Sequence, residues 1–387
     1  MHKAVPLGLA GVALLLLLGT PFLSVRWGFP DDRVLPASAS AHHVGDQLRR
    51  DFVNNSDAAV TVVLPDTNGL NGTDIDRYAA NLSRVRDVSA VSAPTGTFVD
   101  GNRVGPPSAP TGQIPGSAFL TVDSTAALFS EQSETQLDHL HDVAGPAGRH
   151  VEMTGNAQIN RDSVDAITER LPLVLGLIAV IMFVLLFLLT GSIVMPLKAL
   201  VLNILSLTAA FGAMVWIFQD GHLGALGTTP TGTLVANIPV LLFCIAFGLS
   251  MDYEVFLVAR IREFWLASGG TRADNDEAVA RGIAHTGRII TAAALIMSIS
   301  FAALIAAQVA VMRLFGLGLT LAVLVDATLV RMVLVPAFMH VMGQWNWWAP
   351  RWLTAVHGRL GITDGHEPAA QEPHSGEIEP SDPGPRV

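Results

Sequence analysis

The sequence predicts an α-helical membrane protein: six transmembrane helices, with one α+β domain of ferredoxin-like type outside the membrane between the first and the second. Three observations carry that expectation. Half of the 387 residues are hydrophobic and only 14% are charged, with a mean hydropathy of +0.46. Several apolar runs reach the ~20 residues that a helix needs to cross a bilayer. Between Arg26 and Glu169, by contrast, stand 19 Asp and Glu against 10 Arg, in short runs that alternate between strand and helix patterning. That acid excess speaks against a nucleic-acid partner, which would call for a basic face.

Residues 1–25 form the first predicted span. Lys3 precedes an apolar run, Ala4–Val25, longer than the ~7–15 residues of a signal-peptide core, and no small-residue cleavage signal stands before Arg26. Residues 26–169 form the polar domain. Helical patterning covers Ser38–Phe52, Thr73–Val85 and Glu131–Val143; Ala58–Leu64, Val88–Ala93, Ala118–Val122 and Val151–Thr154 read as short strands. Pro94–Pro115, rich in Gly, Pro and Thr, reads as a long hairpin or loop. Strands and helices alternating at these lengths point to βαβ units.

A polar helix, Ala157–Arg170, leads into a five-helix bundle over residues 170–343. Its spans are predicted at 171–189, 197–218, 234–259, 289–310 and 314–342, with a polar connection at 260–288. Residues 344–387 divide into an interfacial Trp segment (Trp345, Trp347, Trp348, Trp352) and a tail rich in Pro, Glu, Gly and His, expected to be disordered. The 260–288 connection carries five arginines, while the 219–233 loop carries none. Positive charge collects on the cytoplasmic side, so both termini are expected there and the polar domain outside. The chain is expected to be a multi-pass membrane protein.

The candidate site lies in the fourth span, where Asp252, Tyr253 and Glu254 interrupt an apolar run. An ionised carboxylate at mid-membrane costs about 2.5 kcal/mol or more, so it needs a partner, a proton or a water-filled cavity. Asp252 stands eight residues before Arg260, roughly 12 Å along a helix, which puts it within the hydrocarbon. Ile245, Leu249 and Phe256 share its helical face, and the Tyr253 hydroxyl can donate to a carboxylate. Glu254 is expected to reach toward Arg260 or the interface. Asp326 and Arg331 in the sixth span stand five apart, which on an α-helix keeps them from facing each other; a structural ion-pair role, direct or through other helices, is weighed equally with a place in a proton path. Ser298 and Asn203 read as helix–helix hydrogen-bonding residues, and Cys244, the single cysteine, as plain helix packing.

Catalytic and cofactor chemistry finds little support. Gly248-Leu-Ser-Met-Asp252 lies in a span and is not a nucleophile elbow. The pairs His42/His43 and His139/His141 are too weakly patterned for a metal, and no G-x-x-x-x-G-K-[ST] phosphate loop exists. The expectation is no catalytic residue, no metal and no cofactor.

Four stretches together resemble the MMPL transporters of the resistance–nodulation–division (RND) superfamily. They are Gly248-Leu-Ser-Met-Asp-Tyr-Glu-Val-Phe-Leu257 with Arg-Ile-Arg-Glu263; Gly28–Pro36; Arg288-Ile-Ile-Thr-Ala-Ala294; and Asp326-Ala-Thr-Leu-Val-Arg331 running on to Asn346-Trp-Trp348. The resemblance implies a proton-driven exporter of lipids or other hydrophobic compounds. It implies that Asp252 and Tyr253 form the proton relay, and that the external domain is porter-like. Family members carry two such halves in one chain, and this chain resembles the C-terminal half only. The expectation is therefore a half that works as a homo-oligomer or with a complementary transporter half. The competing reading is a non-transporting membrane scaffold or accessory subunit, or a truncated inactive fragment.

Overall fold

The computed structural model describes residues 4–51 and 56–360, and six of its helical stretches are long and apolar enough to cross a membrane. The chain opens with α1 (Ala4–Gly19) and a 3₁₀ turn at Thr20–Ser24. Next come the two-residue strand β1 (Trp27–Gly28) and the polar helix α2 (Ser40–Asp51). The sheet domain follows as β2 (Val60–Leu64), α3 (Gly72–Leu82), β3 (Val88–Ala93), β4 (Gly96–Val99), β5 (Asn102–Gly105), β6 (Gly112–Ile114), β7 (Ser117–Ser124), α4 (Glu131–Asp142) and β8 (Glu152–Thr154).

The sheet runs β5-β4-β3-β7-β2-β8, with β6 added onto β7, and every neighbouring pair is antiparallel. Helices α3 and α4 are the two crossovers, so β2-α3-β3 and β7-α4-β8 interleave in one sheet. Alternation places Val60, Val62 and Leu64 of β2 on the covered face. There they meet Ile75, Tyr78 and Leu82 of α3 and Leu137 and Leu140 of α4, all buried. The stretch predicted as a hairpin or loop, 94–115, is largely strand. Asp100 and Gly101, both at positive φ, close the two-residue turn between Val99 and Asn102, the backbone a tight hairpin requires.

Ahead of the sheet, Arg49 of α2 grips Asp32 with two hydrogen bonds of 2.7 Å each. These bonds, more than charge alone, hold the Asp32 carboxyl below its ordinary range against the opposing effect of its partial burial. A lowered carboxyl contributes stability above its unfolded pKa and loses it as pH falls through the folded value. Amide exchange in α2 is therefore expected to quicken as pH drops below about 4, and Asp32→Asn is expected to remove that acid limb. An unchanged limb in the variant would assign it to another group.

Helix α5 (Asn156–Thr190) is one 35-residue rod, about 52 Å long at 1.5 Å per residue, so its polar start and its apolar remainder share one axis. Then come α6 (Val194–Met214), β9 (Leu234–Val235), α7 (Asn237–Leu266) and α8 (Arg272–Ala303). The last rod is α9 (Ala310–Val325), a π-helical segment at Asp326–Leu334, and α10 (Val335–Met342). Strand β9 pairs in parallel with β1, Trp27 beside Leu234. The Arg26 amide donates to the Gln219 side chain at 2.8 Å, which fastens the base of the sheet domain to the bundle.

Helix α1 packs on the bundle through small residues, Gly8 and Gly11 against Ala337 and Leu334 of the last rod and Gly19 against Thr208 of α6. Gly8, Gly11, Leu15 and Gly19 are its buried positions, and a Cβ at Gly212 of α6 would run into the Leu18 carbonyl oxygen. Such close backbone approach is how membrane helices gain contact without a solvent-driven force. Gly212→Val is expected to lower stability by about 1–3 kcal/mol through overpacking, read as a drop in thermal midpoint in detergent. An unchanged midpoint would mean that α1 is not seated there.

The 344–387 segment was expected to be an interfacial Trp stretch and a disordered tail. Within it Arg351–Leu360 forms a further helix, α11. Pro350 stands just before it and its carbonyl accepts from Leu353 and Thr354, a position where a missing N–H costs nothing. Residues 361–387 of the predicted tail lie outside the described residues.

Candidate functional site

On α7, three consecutive side chains take three different environments because each residue turns the helix by about 100°. Asp252 is exposed, Tyr253 half-buried and Glu254 buried. The exposed stripe reads Leu241, Cys244, Gly248, Asp252, Val255 and Phe256. It faces away from the other helices of this bundle, so Cys244 is an exposed thiol rather than a packing residue. Phe256 is 69% exposed. Ile245 and Leu249 are half-buried against the core, Leu249 beside Met297 and Phe301 of α8. The predicted face thus splits: Asp252 and Phe256 look outward, whereas Ile245 and Leu249 belong to the packing behind them.

Behind Tyr253 lies the best-formed ion pair of the bundle. Arg331 Nη2 stands 2.8 Å from Asp326 Oδ2, and Nε donates to the same oxygen at 2.9 Å. The expectation that residues five apart would not meet is corrected here, and the cause is local backbone. Asp326–Leu334 is π-helical, and the wider turn of an i→i+5 helix stacks such residues on one face. Arg331 also donates to the backbone carbonyl of Ser250 and to its Oγ at 3.4 Å. Its guanidinium carbon lies 5.2 Å from the centre of the Tyr253 ring, within cation–π range. Two helices are joined through one arginine that is 1% exposed.

The Tyr253 hydroxyl donates to Met297 Sδ at 3.1 Å, a weak acceptor. The relay pair named from sequence is therefore split: Asp252 looks out of the bundle while Tyr253 turns toward Arg331 and α8. Ser298 is buried and its hydroxyl has no partner; its backbone carbonyl accepts from Thr320 at 3.5 Å. It packs between α8 and α9 and joins none of the carboxylates.

Glu254 departs from expectation most. It does not reach Arg260, which pairs instead with Glu263 at the helix end. It points into the bundle, 5% exposed, where Asn203, Ser250 and Asp326 line the same narrow gap. Lys198 of α6 is also buried and within electrostatic reach of it. Lys198 is the residue that sequence reasoning passed over. Its signal was available, as a lone lysine four residues into the apolar helix α6.

Two cavities flank α5. An apolar groove of about 320 Å³ runs along α5, α6 and α7, past Leu175, Ile178, Phe211 and Phe243. A polar cleft of about 760 Å³ opens between β1, the start of α4 and α5, with Arg26, Glu131, Glu134 and Arg161 on its walls. Trp27 and Val164 line both, so the two spaces adjoin. Among the described residues, no cluster of His, Cys, Asp or Glu is arranged to hold a metal ion.

A model of the MMPL family matches residues 33–359. A membrane protein of Streptomyces coelicolor is 38% identical over 369 residues, 94% of this chain and 48% of that one. The trehalose monomycolate exporter MmpL3 of Mycobacterium tuberculosis is 31% identical over 367 residues, covering 92% of this chain and 37% of the relative. The mycolic acid-containing lipids exporter MmpL11 of Mycolicibacterium smegmatis is 39% identical over 240 residues, 62% of this chain and 25% of that relative. The chain thus spans between a quarter and about half of the length of these curated relatives.

Proposed function

Because this chain is a multi-pass membrane protein belonging to the MMPL family, we propose that it forms one six-helix bundle of an exporter that moves lipids or other hydrophobic compounds outward on the proton gradient. One observation carries the reading: Asp252 stands exposed on a helix face that is otherwise apolar. Lipid tails cannot solvate a carboxylate, so that face calls for a second bundle or a proton. The second bundle docks on the α7 and α8 face, where Ile289, Ile296 and Ile299 are all at least two-thirds exposed. It comes from another copy of this sequence or from a complementary half. Asp252 takes the proton, Tyr253 relays it, and the Asp326–Arg331 pair fixes the π-helix against α7.

The sheet order with its two crossovers supports reading the polar domain as ferredoxin-like and porter-type, and the arginines of the 260–288 connection support placing it on the extracytoplasmic side with both termini cytoplasmic. The adjoining groove and cleft support an amphiphilic cargo, an acyl chain lying in the first and a polar head in the second. Lipid export by the mycobacterial relatives agrees with that shape.

The test is transport in vesicles of defined orientation containing this chain, with a fluorescent lipid and an imposed pH difference. The expected result is outward lipid movement that stops when a protonophore collapses the gradient. Movement indifferent to the protonophore would overturn proton coupling. An absence of movement, also in the presence of a complementary half, would favour the scaffold reading.

A further inference from the structure

We propose that Glu254 is a second proton-holding carboxylate, working inside this bundle against Lys198 and separate from the exposed Asp252. The inference deepens the exporter reading and rests on it for its purpose, though not for its chemistry.

The geometry begins with unmet polar groups. Among the described residues, Glu254 Oε1 and Asn203 Nδ2 are both buried without a hydrogen-bond partner. Lys198 Nζ, with three donors, has the Met195 thioether at 3.6 Å as its partner. The gap lined by Glu254 and Asn203 leaves no room for a water molecule. A buried ionised carboxylate left this way is heavily penalised, whereas a neutral carboxyl is not. Yet two donors suited to a carboxylate, Lys198 and Asn203, lie on α6 beside it. The arrangement is that of a protonated Glu254 released from its donors. Loss of the proton leaves a carboxylate that draws Lys198 and Asn203, and α6 with them, toward α7. The step is balanced: the Glu254 O–H bond forms on uptake, breaks on release, and no other bond changes.

The other charges around Glu254 are accounted for. The π-helical segment brings Asp326 and Arg331, already paired with each other. On α7 itself Asp252 and Tyr253 occupy other faces. Helix α1 has no ionisable side chain, and neither Leu171–Thr190 of α5 nor Leu314–Val325 of α9 contains one. The innermost ionisable residues of α8, His285 and Arg288, lie toward its start, His285 against Phe264 near the end of α7.

The experiment combines infrared spectroscopy and transport on the full chain in lipid vesicles. Glutamate is labelled with ¹³C at its side-chain carboxyl, because Glu254 is the one glutamate within the hydrocarbon part of the described residues. A label-shifted band of a protonated carboxyl is expected to titrate with pH and to be missing in Glu254→Gln. In Lys198→Met its midpoint is expected to rise by about one pH unit, a tenfold tighter proton. Gradient-driven transport is expected to fall at least about tenfold in Glu254→Gln, with a flattened pH profile. No label-shifted titrating band in wild type overturns the proposal. So does a Glu254→Gln protein with wild-type rate and pH profile. If Glu254→Gln fails to fold, the labelled wild type and Lys198→Met still decide. A titrating band in a chain that moves no lipid on a gradient, with or without a complementary half, upholds Glu254 and sinks the exporter reading; transport without the band does the reverse.

Discussion

Asp252→Asn is expected to abolish gradient-driven lipid movement, with a loss of at least about a hundredfold, the range in which a positioned proton carrier acts. Asparagine keeps the size and the dipole of the side chain but cannot take up a proton at any accessible pH. Asp252 lies on the exposed stripe of α7 and supports no packing inside this bundle, so the variant is expected to extract and elute as the wild type does. Leu17→Ala, on the exposed side of α1 and outside the α7 and α8 docking face, serves as the control and is expected to change the rate by less than about threefold, as surface positions commonly do. Rates measured in oriented vesicles at several imposed pH differences decide the matter. Gradient-driven movement that survives in Asp252→Asn would remove the aspartate from the proton path, whatever the rest of the molecule does.

Arg331→Met is expected to destabilise the bundle by about 3–5 kcal/mol, because it leaves the Asp326 carboxylate buried without its counter-ion. The arginine also holds the Ser250 carbonyl and lies over Tyr253, so its loss uncouples α7 from the last rod as well. Removing both charges should differ in kind from removing one. Asp326→Leu with Arg331→Met replaces the pair by apolar side chains and is expected to recover most of the loss, since a buried pair exchanged for packed hydrophobic residues is often neutral in stability. Thermal midpoints of the two single variants and the double variant, taken in one detergent, give the coupling directly. A single Arg331→Met variant within about 1 kcal/mol of wild type would show that the pair does not hold these helices together.

Much of the fold is legible in the sequence because the solvent change is abrupt. Apolar runs such as Leu171–Thr190 have few other places to go than a bilayer, and Val60–Leu64 shows the alternation of a strand covered on one face. What stayed hidden follows from assumptions about pitch and distance. An ion-pair role for Asp326 and Arg331 is legible in the sequence, but their direct contact is not, because spacing at about 3.6 residues per turn turns them apart and nothing in Asp-Ala-Thr-Leu-Val-Arg announces the wider pitch. Glu254 was steered toward Arg260 by nearness along the chain, although Arg260 has Glu263 three residues on. The pairing of Trp27–Gly28 with Leu234–Val235 joins points some two hundred residues apart through strands too short to show a pattern. For the candidate site, the sequence picks out one turn of α7 but does not say which way each side chain of Asp252-Tyr253-Glu254 faces.

The π-helical stretch has a consequence for tolerance to length change. A π-turn is the trace that one additional residue leaves in an α-helix. Deleting a residue between Asp326 and Arg331 would return the segment to ordinary pitch and set the two charges four apart, where an α-helix also lets them meet. The deletion removes both the residue and the wider turn that absorbs it, so the helix after Leu334 keeps its facing. Val335, Ala337 and Met339, now buried, would stay against their neighbours on α1 and α8. This stretch should therefore accept the loss of one residue more readily than the α-helical turns on either side of it, where the same loss would rotate everything downstream by about 100°.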